Sequence, residues 1–206
     1  TYKILDFPDL SVDGTFPLGG LVFAVLLTNG CPWPVAMLVS FIAGCAAGLV
    51  TGVLHVKLKI NGLLSGIITM TALLSVNYLI AGGPMVSFSQ ESTLLHNAIV
   101  DGLPRTGSLY VQAAFTLLLV AACKILLDLF LKTKSGFLLR ATGDNPQMVT
   151  QLGKNIDNYK MLGLSLANGL VALAGSLYCQ YNTVFNSSMG TGTVVIALAC
   201  VIIGCV

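Results

Sequence analysis

The stretch VAMLVSFIAGCAAGLVTGVLHV, residues 35–56, contains no Asp, Glu, Lys or Arg. At about 1.5 Å of rise per residue, a helix of this length crosses the roughly 30 Å hydrocarbon layer of a bilayer. A barrel would show alternating segments of about ten residues instead. The rest of the chain repeats the pattern. Hydrophobic residues make up 55% of the 206 positions and charged residues 9%, and mean hydropathy is +0.88. Soluble domains carry about 25% charged residues, so this chain cannot clothe a water-facing surface. The expected fold is all-α, a polytopic transmembrane bundle in a lipid bilayer. It forms one domain over 1–206.

Outward from 35–56, "TNGCPWP" (28–34) reads as a turn and "KLKING" (57–62) as a short basic loop. Leu63 to Ile80 spans, and "AGGP" (81–84) breaks that span. Residues 85–108 are polar and loop-like. Leu109 to Leu131 and Met161 to Tyr181 span again. Loops 57–62 and 132–160 fall on one side if the four spans alternate. With Lys124 they hold Lys57, Lys59, Lys132, Lys134, Arg140, Lys154 and Lys160, eight of the ten basic residues. Cytoplasmic loops are the Lys/Arg-rich ones, so these two are placed in the cytoplasm. Asp6, Asp9, Asp13, Glu91 and Asp101 then lie outside. The chain starts at Thr1 and stops straight after an apolar run. The expectation is a fragment; the family resemblance given below further implies one span before Thr1 and others after Val206.

Gly44, Gly48 and Gly52 form a small-residue stripe along one helix face, which lets two backbones approach closely. Asn77 and Asn168 lie in spans, where an amide is costly unless partnered. They, and Thr71, either line a solute pathway or tie helices together. "SVDGTFPLGGLVFAVLL" (11–27) and "SSMGTGTVVIALACVIIG" (187–204) are alike. Each opens with small polar residues and Gly-Thr, then runs apolar for about a dozen residues, too short for a full span. Re-entrant or half-spanning helices are expected there. Their N-termini offer free N–H groups at membrane depth, which makes Asp13, Gly14, Thr15, Gly190 and Thr191 pathway candidates. The six cysteines show no C-x-x-C spacing, so neither a metal site nor a redox motif is indicated. No catalytic residue, cofactor site or nucleic-acid signal stands out.

The polar run "LLRATGDNPQMVTQLGKNIDNYK" (138–160) interrupts the oily pattern. Gly143 marks a turn, and Asp144 or Asn145 can cap a helix. Pro146 suits the first helical position and Gly153 the terminator. Gln147 to Leu152 is then a two-turn helix with Met148, Val149 and Leu152 on one face. Such a helix does not hold in water alone. It needs its own protein, a lipid surface or a partner's groove.

Residues 136–177, "GFLLRATGDNPQMVTQLGKNIDNYKMLGLSLANGLVALAGSL", resemble the cytoplasmic coupling loop and following span of ABC-transporter permeases of branched-chain amino acid, ribose and related import systems. Gly136, Arg140, Ala141, Gly143, Asn145, Gly153 and Asn155 carry that resemblance. The opening "ILDFPDLSVDGTFPLGG" is similar to the same family, nearest the branch assigned to aromatic amino acids or other small solutes. The resemblance implies a permease subunit in a bacterial cytoplasmic membrane. It implies that Arg140, Gly143, Asp144, Asn145, Pro146, Gln147, Met148, Val149, Leu152 and Gly153 dock on a cytoplasmic ATP-binding subunit. It also implies a second permease subunit and an extracytoplasmic solute-binding protein. The chain has no G-x-x-x-x-G-K-[ST], so a separate polypeptide would hydrolyse ATP. The alternative is a secondary transporter or channel working without an ATPase.

Overall fold

A computed structural model describes residues 9–88, 105–153 and 155–204. Helix α1 is Val12–Thr28, α2 Trp33–Val56 and α3 Gly62–Ala81. Strand β1, Met85–Ser87, follows. Then come α4 (Arg105–Lys132), α5 (Lys134–Asp144), α6 (Pro146–Gln151) and α7 (Ile156–Asn182), followed by β2 (Val184–Asn186) and α8 (Thr193–Gly204). Helices α2, α3, α4 and α7 are long and apolar enough to cross a membrane. Lys154, Glu91 and Asp101, and Asp6 with the rest of 1–8, lie outside the described residues.

Local chemistry sets the helix ends. Pro34 sits in the first turn of α2, where a missing N–H costs nothing. The Asn61 side chain accepts from the Leu63 amide to cap α3, and Gly82 ends that helix at φ +64°. The Asn155 side chain accepts from the Asp157 amide to start α7.

The bundle is sorted inside out relative to a soluble protein. Ser11, Thr15, Ser40, Thr51, Asn77, Asn168, Ser176 and Gln180 are fully buried. Leu38, Ile42, Leu79, Leu117 and Ile203 are more than half exposed. Large apolar side chains facing outward suit a hydrocarbon solvent. Small and polar residues inside suit close helix contacts.

Helix α7 packs most extensively, first on α2 and then on α1. A Cβ on Gly44 would lie 2.5 Å from Ala172 Cβ, one on Gly48 2.5 Å from the Leu164 carbonyl, and one on Gly52 3.1 Å from Met161 Cα. As the α2 number rises the α7 number falls, so the two helices run antiparallel. The loop after α2 and the start of α7 therefore share one end of the bundle, the basic one. At the other end β1 and β2 pair antiparallel, Val86 opposite Phe185. An apolar cap of Leu21, Phe23, Leu27, Ala36, Phe88 and Phe185 gathers there.

Helix α1 is enclosed along most of its length. It starts within the bundle, with Leu10 N where a Cβ on Gly66 of α3 would come to 3.0 Å. The helix begins at Val12, so Asp13, Gly14 and Thr15 form its first turn. Asp9, placed outside by the charge pattern, is buried at 5% exposure. Both acids find hydrogen-bond donors on distant segments, which no apolar window reveals.

Candidate functional site

Asn168 is the hub of a buried polar cluster at the start of α1. Its Nδ2 donates to Asp9 Oδ2 at 2.8 Å and to the Leu164 carbonyl at 3.1 Å. Its Oδ1 accepts from Thr15 Oγ1 at 2.7 Å and Ser11 Oγ at 3.2 Å. Asp9 Oδ1 accepts from the Ser11 amide at 2.9 Å and the Ser11 hydroxyl at 2.6 Å. Three donors thus face one carboxylate, and hydrogen bonds to a charged acceptor are the stronger kind.

One turn further, Asp13 reaches the other short helix. Its Oδ1 accepts from Thr193 Oγ1 at 2.7 Å and the Val194 amide at 2.9 Å, and its Oδ2 from the Gly192 amide at 3.2 Å. The carboxylate thereby caps α8, whose N-terminus favours negative charge. Pro17 lies inside α1. It has no N–H to give the carbonyl of Asp13 four residues back. Gly190 lies against that carbonyl, where an added Cβ would collide with it and sit 2.5 Å from Pro17 Cδ.

The structure thus gathers Asp13, Gly14, Thr15, Asn77, Asn168 and Gly190 around the first turn of α1. Asn77 Nδ2 donates to the Gly14 carbonyl at 3.3 Å. Thr71 is not among them. It is exposed on α3, its hydroxyl donating to its own helix at Ile67 and Ile68. Thr191 is exposed beside the joint, its amide bonded to the Ser188 carbonyl at 3.1 Å. Sequence reasoning missed Asp9, Ser11 and Thr193 as members. The repeated small polar residue before each short helix was the available signal. It also missed Gln180, fully buried on α7, whose amide atoms have no hydrogen-bond partner among the described residues.

The second candidate region is the polar run at the basic end. Arg140 and Gly143 lie within α5, so the chain does not turn at Gly143. The break comes at Asn145, with an extended backbone, immediately before Pro146 opens α6. Gly153 takes φ +68°, the left-handed conformation that glycine adopts freely. Helix α6 ends at Gln151, leaving Leu152 in the following turn. The apolar face divides there. Val149 is fully buried and Leu152 is 56% exposed, beside exposed Gln147, Thr150, Gln151 and Arg140. Helix α6 packs on α5 and α7 with Val149 buried, and Leu152 remains on the surface.

A groove of about 510 Å³ separates α4 from α2 and α7, lined by side chains such as Trp33, Phe41, Leu127, Phe130 and Leu170. Its lining is almost entirely apolar, with the Trp33 indole N–H and the Cys123 thiol its side-chain donors, so it offers a polar solute few hydrogen bonds. No cluster of three or more His, Cys, Asp or Glu fit for a metal occurs among the described residues.

Outward-facing apolar residues, buried polar ties and several bilayer-length helices define a multi-pass helical membrane protein. The chain belongs to the permease-component family of branched-chain amino acid transport systems, whose model matches residues 1–206. It is 46% identical to a tyrosine transport system permease protein of Clostridioides difficile (strain R20291), over 99% of this chain and 65% of that protein. An uncharacterised protein of Rickettsia prowazekii (strain Madrid E) is 36% identical, over 99% of this chain and 69% of the relative. The autoinducer 2 import system permease protein LsrC of Salmonella paratyphi B is 30% identical, over 95% of this chain and 54% of its own length. The chain therefore spans just under two thirds of the first of these relatives and about half of the third. No solved structure matches it.

Proposed function

We propose that this chain belongs to the transmembrane subunit of an ATP-driven importer in a bacterial cytoplasmic membrane, and that its solute is an amino acid. The 46% identity to a tyrosine transport permease supports the amino acid and makes tyrosine the first solute to test. The observation that carries the coupling role is the build of α6. It is held from within by Val149. With the turn that follows, it presents Gln147, Thr150, Gln151 and Leu152 outward at the basic end, read as cytoplasmic. It then runs through Gly153 into α7, the helix with the widest packing in the bundle. A partner ATPase that moves α6 therefore moves α7 and, through Asn168, the start of α1. The remaining assembly is a second permease subunit and an extracytoplasmic solute-binding protein.

Uptake of labelled tyrosine by cells carrying the full-length protein and its neighbouring subunits tests this. Uptake that stops on ATP depletion and survives an ionophore supports the importer. Uptake that collapses with the ionophore and persists without an ATPase supports a gradient-driven carrier, for which buried Asp9 is the acid available.

A further inference from the structure

The Asp13 joint has features that the coupling role of α6 does not use. Three donors from residues 192–194 converge on one carboxylate. Gly190 is pressed onto the part of α1 that Pro17 leaves open. In α8 Val194 is buried, and Val195, Ile196 and Ile203 are 69%, 67% and 75% exposed. Among the described residues it packs on α1. The start of α1 is fastened to α7. Asn168 grips Thr15, and Gly175 lies against the Phe16 carbonyl so closely that a Cβ would collide with it.

We propose that Asp13 is a positioning residue for transport: it pins the start of α8 to α1, and the pair moves as one body through the cycle, the joint staying closed while solute passes. The proposal rests on the importer reading and adds how motion delivered along α7 reaches the second short helix. It also takes Asp13 out of the set of solute ligands, because its oxygens are already engaged by three backbone and hydroxyl donors. A helix N-terminus and an anion fixed on it reinforce each other, so the joint resists opening without a countercharge.

The test uses the full-length protein with its partner subunits and the pair Asp13→Cys with Thr193→Cys. The native side chains meet at 2.7 Å, so the two positions are neighbours, and a disulfide forms where their Cβ atoms come to about 3.5–4.5 Å. Oxidation should link the pair, located by mass spectrometry, and uptake, lowered in the reduced protein because the carboxylate is gone, should rise when the disulfide closes the joint again. Asp13→Ala should lower the maximal uptake rate about tenfold or more and leave the half-saturating solute concentration unchanged. Thr193→Val, which removes one donor, should lower it in the same direction by less, and serves where Asp13→Ala is not recovered from the membrane. A linked pair that cannot transport until reduced overturns the proposal, since the joint must then open. A raised half-saturating concentration at unchanged maximal rate also overturns it, since Asp13 then binds solute. Wild-type uptake separates the two readings. If it does not depend on ATP, the importer reading fails and the proposal with it. If it does, a failing cross-linked pair refutes the joint alone.

Discussion

Asn168 binds three side chains from the segment that starts α1, and its two amide ends do different work. The Nδ2 group satisfies the Asp9 carboxylate and the Oδ1 atom holds two hydroxyls. Asn168→Leu fits the membrane better by hydropathy, yet it strands a buried carboxylate oxygen. An unsatisfied buried polar group costs about 1–3 kcal/mol, more when charged. The variant should unfold at lower temperature in detergent, whereas Asp9→Asn, which removes the charge, should cost less. Equal melting of the two variants would contradict this account of the cluster. Gly48 makes a steric case. Its added Cβ would lie 2.5 Å from the Leu164 carbonyl and 2.8 Å from Ser165 Cα, both backbone atoms that cannot turn aside. Gly48→Leu should cost at least the ~1–3 kcal/mol typical of overpacking and reduce the amount of folded protein in the membrane. The glycine period of α2 is plain in the sequence. The role of Asp9 is not, because an acid beside an apolar run reads as a solvated flank until its donor, 159 positions away, is known.

Among the elements, α6 was legible because proline and glycine mark its two ends chemically. Helix α5 was not. Gly136 and Gly143 within eleven residues suggest a turn, since glycine costs a helix about 1 kcal/mol relative to alanine. The structure explains the first of them. A Cβ on Gly136 would collide with Leu131 and Phe130 at the corner where α4 turns into α5. The β1–β2 pair was equally hidden, since three-residue strands carry too little pattern to see and their partners are far apart in the chain. At this scale the testable element is α6. Leu152→Asp changes only an exposed side chain, so it should leave insertion and thermal stability near wild type while sharply reducing uptake. Val149→Asp should instead destabilise the 132–160 region, exposing it to protease, because Val149 is fully buried. Unimpaired uptake by the Leu152 variant would remove the surface of α6 from the coupling account.

For the whole molecule, the four spans and their order were readable from hydropathy and charge alone, because a bilayer demands about twenty apolar residues per helix. The path of α1 was not. Its buried surroundings are set by α2, α3 and α7 together, not by its own composition. The orientation predicts that a thiol placed at exposed Lys59 is labelled from the cytoplasmic side and that native Cys31, in the turn between α1 and α2, is labelled from the opposite side. Labelling of both from one side would refute the topology.

The most direct measurement is a gentle purification of the tagged full-length protein from its native membrane, run beside a variant lacking Pro146–Leu152. The account predicts that an ATPase with a P-loop copurifies with the intact protein and not with the deletion, although both insert in the membrane. An ATPase retained by the deletion, or absent from both, would contradict the claim that α6 is where ATP-driven motion reaches this bundle.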